Sequence, residues 1–240
     1  MGKNKIIYFA FLTLYLFSCK KENPVIEMPN ISHDFEYTIN LEVKEVYAIQ
    51  SNTLLPISKC AIGLFYKADP KNHNALATML NVDSMFFKSK KLKHYISTFP
   101  SYYSDTTLSP IYPPFSWKIY SGSEIPSLTE TITDSVPTFN KYNILVDSIS
   151  KNGNTFITLG GANSDSLTID ISDGIQTKDW GETISSNTNG VMVANPNWLS
   201  LTSSGKITIT YFKHYFKTIN SKRVSFKTCS VYTKIIKIVP

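Results

Sequence analysis

The chain has 240 residues, with 24 Lys and Arg against 18 Asp and Glu and a formal net charge of +6. Arg223 is the sole arginine. Nucleic-acid readers lean on arginine for bidentate contacts with bases and phosphates, so no nucleic-acid partner is expected. Ser, Thr, Asn and Tyr abound while Ala and Glu are scarce, a balance that favours strands over helices and sets the class as all-β.

Residues 1–18 read as a lipoprotein signal peptide. Lys3 and Lys5 form a basic start, and Ile6 to Phe17 is apolar apart from Thr13. This is the pattern of a secretory signal, and it closes on Leu16-Phe17-Ser18-Cys19. The apolar run is shorter than the roughly 20 residues that a membrane-spanning helix needs. Leu16 and Ser18 fit the positions before a lipidated cysteine, and Phe17 is bulkier than usual there. Cys19 is thus the expected lipidation site, its thiol carrying diacylglycerol and its freed amine a further acyl chain such as palmitate. Two or more chains hold a protein stably on a membrane. Loss of Lys3 and Lys5 with the signal would lower the net charge by two. Residues 19–32, polar and carrying Pro24 and Pro29, read as a lipidated tether. Within it Lys20-Lys21-Glu22 resembles the short charged signals that send lipoproteins of Bacteroidota-type bacteria to the outer face, and reads equally as a solvated cluster beside headgroups.

Beyond the tether, alternation dominates the chain. Phe35, Tyr37, Ile39, Leu41 and Val43 are expected to face a core, with Glu36, Thr38, Asn40, Glu42 and Lys44 in water. A phase slip at Lys44-Glu45 suggests a bulge before Val46 and Ala48. Cys60, Ile62, Leu64 and Tyr66 form the next expected strand, and Asp69-Pro70-Lys71-Asn72 a turn. Met79 to Phe87 should hold one or two short strands and Tyr95 to Phe99 another. Pro100, Pro110, Pro113 and Pro114 then suggest a surface loop or interdomain crossing over 100–114, because proline at this density opposes helix and central strand alike.

The second half repeats the logic. Phe115, Trp117 and Ile119 alternate up to a turn at Ser121-Gly122. Tyr142, Ile144 and Val146 precede a turn at Lys151 to Asn154, and Phe156 to Leu159 return. Leu167, Ile169 and Ile171 form the clearest strand, ended by Asp173-Gly174. Val191 to Ala194 leads into one short turn, which Asn195 can cap and Pro196 begin. Ile207, Ile209 and Tyr211, then Val224 and Phe226, then Ile236 and Ile238 complete the pattern. Many short strands imply tandem antiparallel β-sandwiches of immunoglobulin or transthyretin type. The expected domains are an N-terminal β domain at 33–114 and a C-terminal β-sandwich at 115–240.

Trp117-Lys118-Ile119-Tyr120-Ser121-Gly122, Ile125-Pro126 and Pro137, the run Asn163 to Ile171, and Trp198-Leu199-Ser200-Leu201 together resemble a group of cell-envelope lipoproteins of Bacteroidota-type bacteria. The resemblance implies two β-sandwich modules behind a lipidated cysteine. It implies no activity.

No Gly-x-Ser-x-Gly elbow and no His-Glu-x-x-His site is present. His33, His73, His94 and His214 are far apart in sequence. Asp165, Asp170, Asp173 and Asp179 form the densest acidic group, yet they lack the alternating pattern of a calcium loop ending in Glu. Neither a metal nor a cofactor is expected. Cys60 and Cys229 sit in apolar strands of different halves, and the sequence leaves their pairing open. Aromatics are the remaining lead. Trp117 is in phase with a core face, and Trp198 sits beside Leu199 and Leu201. Trp180, among Lys178, Asp179, Gly181 and Glu182, is the first candidate ligand contact, with Tyr102 and Tyr103 of the proline-rich segment second. The expected function is non-catalytic: a cell-envelope lipoprotein at the outer membrane or cell surface, partnered with the membrane through Cys19 and with a glycan or envelope protein. Two alternatives stand beside it, a fimbrillin-like adhesin subunit using strand addition and a hydrolase with a site assembled from distant loops.

Overall fold

Every regular element among the described residues is a strand. The computed structural model describes residues 37–240 apart from 51–52, 68–70, 72–77, 97–101, 108–110, 121, 123, 140–145, 160, 176, 180–183, 186–189, 195, 198 and 221. The signal peptide 1–18 and the tether 19–32 with Cys19 lie outside the described residues, as does Trp180.

The chain opens with two long strands, β1 (Tyr37–Gln50) and β2 (Thr53–Lys67). Short strands come after them: β3 (Thr78–Met79), β4 (Ser84–Phe87), β5 (Lys90–Lys91), β6 (Lys93–Tyr95) and β7 (Tyr102–Thr107). Next are β8 (Phe115–Tyr120), β9 (Leu128–Ile132), β10 (Thr138–Phe139), β11 (Ser148–Ser150), β12 (Asn154–Thr158) and β13 (Gly161–Ala162). Then β14 (Ser166–Ser172), β15 (Thr177–Asp179), β16 (Ile184–Ser185) and β17 (Gly190–Ala194) lead to two strands of 18 residues, β18 (Thr202–Ile219) and β19 (Lys222–Val239).

One large sheet carries β15-β14-β18-β19-β1-β2-β7-β6 in that order, with β11 also on β19, β16 on β14 and β3 on β2. Its centre joins the first described strand to the last: β1 and β19 pair in parallel without a break from Thr38 and Arg223 to Ile49 and Lys234. A four-stranded sheet, β5-β4-β8-β9, and two-stranded sheets β12-β17 and β10-β13 complete the architecture. The all-β class expected from composition is what the fold has.

Side chains alternate across a strand, so the odd positions of β1 share one face of the large sheet. Two apolar clusters lie along that face. At one end Ile39, Leu41, Val43 and Phe65 pack with Met85, Phe115, Trp117 and Ile119 of the four-stranded sheet. At the other end Ile49, Ile207, Ile209 and Tyr211 pack with Ile157 and Val193 of the β12-β17 pair. That pair leaves Phe156 and Met192 about half exposed on its outer side, which is the alternation expected of a covering layer. Gly63 faces Met85 across the two layers of the first core. A Cβ there would lie 2.3 Å from Met85 Sδ, so only glycine fits without Met85 moving.

The cores do not divide at 114/115, the boundary expected from sequence. Phe115, Trp117, Ile119, Leu128 and Val136 belong to the first cluster, as do Val224 and Phe226 of β19. The cause is β8, whose ladder partners are β4 and β9. Of the hairpin expected around Lys151 to Asn154, Tyr142 and Ile144 lie outside the described residues; on either side of the turn, β11 joins β19 in parallel and β12 joins β17.

A polar row separates the two cores. Glu45 stands on the core face between Val43 and Tyr47 and pairs across the ladder with Lys59. The Lys59 ammonium donates to Glu45 Oε1 at 2.6 Å, and the Tyr47 hydroxyl donates to Glu45 Oε2 at 2.5 Å. The expected slip within β1 is therefore absent. The ladder irregularity lies on β2, where Ile57 is the extra residue between Ser58, opposite Val46, and Pro56, opposite Tyr47. Proline, which cannot donate to a ladder, is accommodated at such a bulge.

The even face of β1 is not the wet face expected. Thr38 is buried, and Asn40, Glu42 and Lys44 are half-buried, because β1 is a central strand flanked by β19 and β2. Cys60 and Cys229 fall in one row of this face, both opposite Lys44. Two strand spacings, roughly 9.5 Å, separate their backbones, beyond the reach of a disulfide, and both thiols are free and buried.

Candidate functional site

The proline-rich segment is not a loop throughout. Tyr102 to Thr107 is strand β7, paired with β2 and β6. Tyr102 is 3% exposed and Tyr103 4% exposed, which corrects the expectation that both are surface contacts. Tyr102 stacks on Tyr95 at 4.9 Å between ring centroids. The prolines at 100, 110, 113 and 114 bound this strand and do not enter it, while Tyr and Thr favour it.

Tyr103 nevertheless reaches a cavity. A space of about 420 Å³ opens where the β4–β5 end of the small sheet meets edge strand β6, lined by Val82, Asp83, Ser84, Lys91, Leu92, Lys93, His94 and Tyr103. Its size lies within the range of small-ligand sites. The wall is fixed from behind. The Tyr103 hydroxyl donates to the Val82 carbonyl at 2.6 Å and accepts from the Val82 N–H at 3.0 Å, and the Leu92 N–H donates to the Met85 carbonyl at 2.8 Å. His94 lies flat on Tyr103, 4.1 Å between centroids and 4° from parallel. Burial holds the His94 imidazole below its ordinary pKa, so the ring is neutral at pH 7. Its Nε2 is buried without a hydrogen-bond partner.

This arrangement holds polar groups without the bonds of a catalytic relay. Ser84, Asp83 and His94 line one cavity, yet His94 Nε2 bonds to neither; nucleophilic catalysis calls for a base in contact with its nucleophile. Two of the four aspartates that cluster in the sequence serve the backbone. Asp173 accepts from the N–H groups of Ile175 and Ser200, each at 2.8 Å, and Asp165 accepts from the His214 N–H at 2.8 Å. Among the described residues no three His, Cys, Asp or Glu side chains converge as a metal site. The thiols are poor nucleophiles: burial raises Cys60 to about 12 and Cys229 well above its ordinary value, leaving little thiolate at neutral pH.

A second aromatic surface runs along β18. Tyr215 and Phe216 are exposed, and Phe216 is flanked by its own neighbours. Arg223 lies 4.4 Å from its ring centroid, and His214 stacks at 6.1 Å. Lys227 likewise sits over Phe212 at 4.3 Å. These rings are engaged by their own neighbours, which makes the β4–β6 cavity the better site for a ligand. Trp117, expected in the core, is there at 2% exposure. His94 is not legible in the sequence, because one histidine among lysines carries no signal until Tyr103, on the next strand, is placed beneath it.

No known protein family matches the chain, and no curated protein does. Among solved structures the chain is similar to titin Ig tandem domains A164-A165, at 10% identity over 84% of this chain and 97% of that one, with a TM-score of 0.24. At that score the likeness bears on neither fold nor function.

Proposed function

We propose that this protein is a non-catalytic binding module of the cell envelope, lipid-anchored through Cys19 and related to the envelope lipoproteins of Bacteroidota-type bacteria that its sequence resembles. The cavity beside β6 carries the binding half of this reading: it sets a hydroxyl and charged side chains beside apolar walls, the mixture that orients a small polar ligand. A glycan of the envelope is the partner, and Trp180, which comes directly after β15, is a second contact. The pattern from Lys3 to Cys19 supports the location. The fimbrillin-like alternative draws on the C-terminal strand, and that strand is already paired with β18 and β11 within its own chain.

Two measurements test the reading. Wild-type chain expressed with radioactive palmitate should be labelled, and Cys19→Ala should be neither labelled nor processed. Equal labelling of the two removes the anchor. Immobilised envelope polysaccharide should retain the detergent-solubilised full chain, and passage without retention counts against the binding module.

A further inference from the structure

The polar row between the two cores continues from β1 onto β19. Even positions of β19 face the cores: Val224 and Phe226 belong to the first, and Tyr232, Ile236 and Ile238 to the second. Thr228 and Ser230 share that face by alternation and fall between the two sets. Ser230 is the ladder partner of Glu45 on β1, and Thr228 that of Val43. Thr228 is 6% exposed and Ser230 0% exposed, and neither hydroxyl has a hydrogen-bond partner among the described residues. The charged groups nearby are already engaged. Lys59 donates to Glu45 Oε1 at 2.6 Å. Lys213, opposite Thr228 on β18, donates to Asn163 Oδ1 at 2.7 Å and lies 3.3 Å from Asp134 Oδ1.

Two unpaired hydroxyls beside a buried ion pair are costly in a dry interior, because each forfeits the bonds that it makes in water. The chemistry of the row selects what answers them. A cation would meet the Lys59 ammonium, and an anion the Glu45 carboxylate. A neutral molecule that both donates and accepts suits all of these groups. It must also be small, since Glu45, Lys59, Thr228 and Ser230 are each less than a tenth exposed. Thr228 and Ser230 stand roughly 7 Å apart along the strand, a span that one or two waters bridge at ordinary hydrogen-bond lengths. Above the row, no ladder joins the β5-β4-β8-β9 sheet over the first core to the β12-β17 pair over the second.

We infer that internal water binds in this row, linking the Thr228 and Ser230 hydroxyls to the Glu45 carboxylate. Each Glu45 oxygen accepts one bond, from Lys59 or from Tyr47, and a carboxylate oxygen accepts a second. The row is then a hydrated seam between two dry cores, and the ion pair at its β2 end is solvated from within.

The test compares the wild-type full chain with Thr228→Val combined with Ser230→Ala, both in detergent. These changes remove the two hydroxyls and nearly keep the side-chain shapes. Oxygen-17 relaxation dispersion counts the waters held inside each protein, and the wild type should hold at least one more than the variant. Urea denaturation reads the energetic side: the unfolding constant of the variant should rise about tenfold, as for the loss of one or two net hydrogen bonds. Should the double variant fail to fold, Ser230→Ala alone carries the same comparison. Equal water counts overturn the inference. So does a variant as stable as the wild type or more stable, because removing truly unpaired hydroxyls costs nothing.

Discussion

Lys59 and Glu45 form an ion pair within the packed interior, each side chain about 10% exposed. Removing two charges from water costs several kcal/mol per ion, and the pair is tolerable because each charge answers the other and Tyr47 adds a second hydrogen bond to Glu45. Burial, chiefly, with the Glu45 hydrogen bond second, pushes the Tyr47 hydroxyl far above its ordinary pKa, so it stays a donor. Lys59→Met should therefore destabilise the protein by about 3 kcal/mol, since it strands the Glu45 carboxylate. Glu45→Leu combined with Lys59→Met should recover most of that loss. Urea denaturation of the three proteins checks this, and a double variant no more stable than the single would contradict it. Tyr66 presents the opposite case: its hydroxyl is buried with no partner, and burial raises its pKa to about 12. Tyr66→Phe removes an unpaired polar atom and should leave stability unchanged or raise it by about 1 kcal/mol. A loss above 1 kcal/mol in the same assay would mean that the hydroxyl has a partner. These two residues also mark what local pattern conveys. Tyr66 is legible as a strand residue from its spacing with Cys60, Ile62 and Leu64. Glu45 reads as a slip because a lone carboxylate on a core face is forbidding, and its partner lies 14 positions away on another strand.

At the scale of elements, period-two alternation identifies β1, β2, β8, β14, β18 and β19 because each has a face whose apolar residues recur every second position. It says nothing of pairing. The parallel ladder of β1 on β19 joins residues nearly two hundred positions apart, and no turn chemistry connects them, so nothing local announces it. Proline density misleads over 100–114 because a fifteen-residue window averages away the proline-free stretch Tyr102 to Thr107. The candidate site is illegible for a related reason. It forms where β4 of one sheet meets β6 of another, and its residues carry no spacing motif. Tyr103 has the sequence context of an exposed loop aromatic; the structure keeps it near the site as the buried platform under His94.

The molecule as a whole holds two hydrophobic cores on one face of one sheet, and that geometry dictates how it unfolds. β1 contributes Ile39, Leu41 and Val43 to the first core and Ile49 to the second, while β19 contributes Val224 and Phe226 to the first and Tyr232, Ile236 and Ile238 to the second. The described residues, Tyr37 to Pro240, fall in one compact unit. Melting either core would strip the shared strands of half their packing and expose ladder hydrogen bonds along their length. The two cores should therefore unfold together, although each has its own covering sheet. Ile209 is fully buried in the second core, so Ile209→Ala should cost about 2–5 kcal/mol. Native-state hydrogen exchange reads where that cost appears. The slowest amides of β8, which covers the first core, should lose as much protection as those of β14 beside Ile209. Should the β14 amides exchange faster while those of β8 keep their wild-type rates, the cores are independent and the shared strands do not couple them.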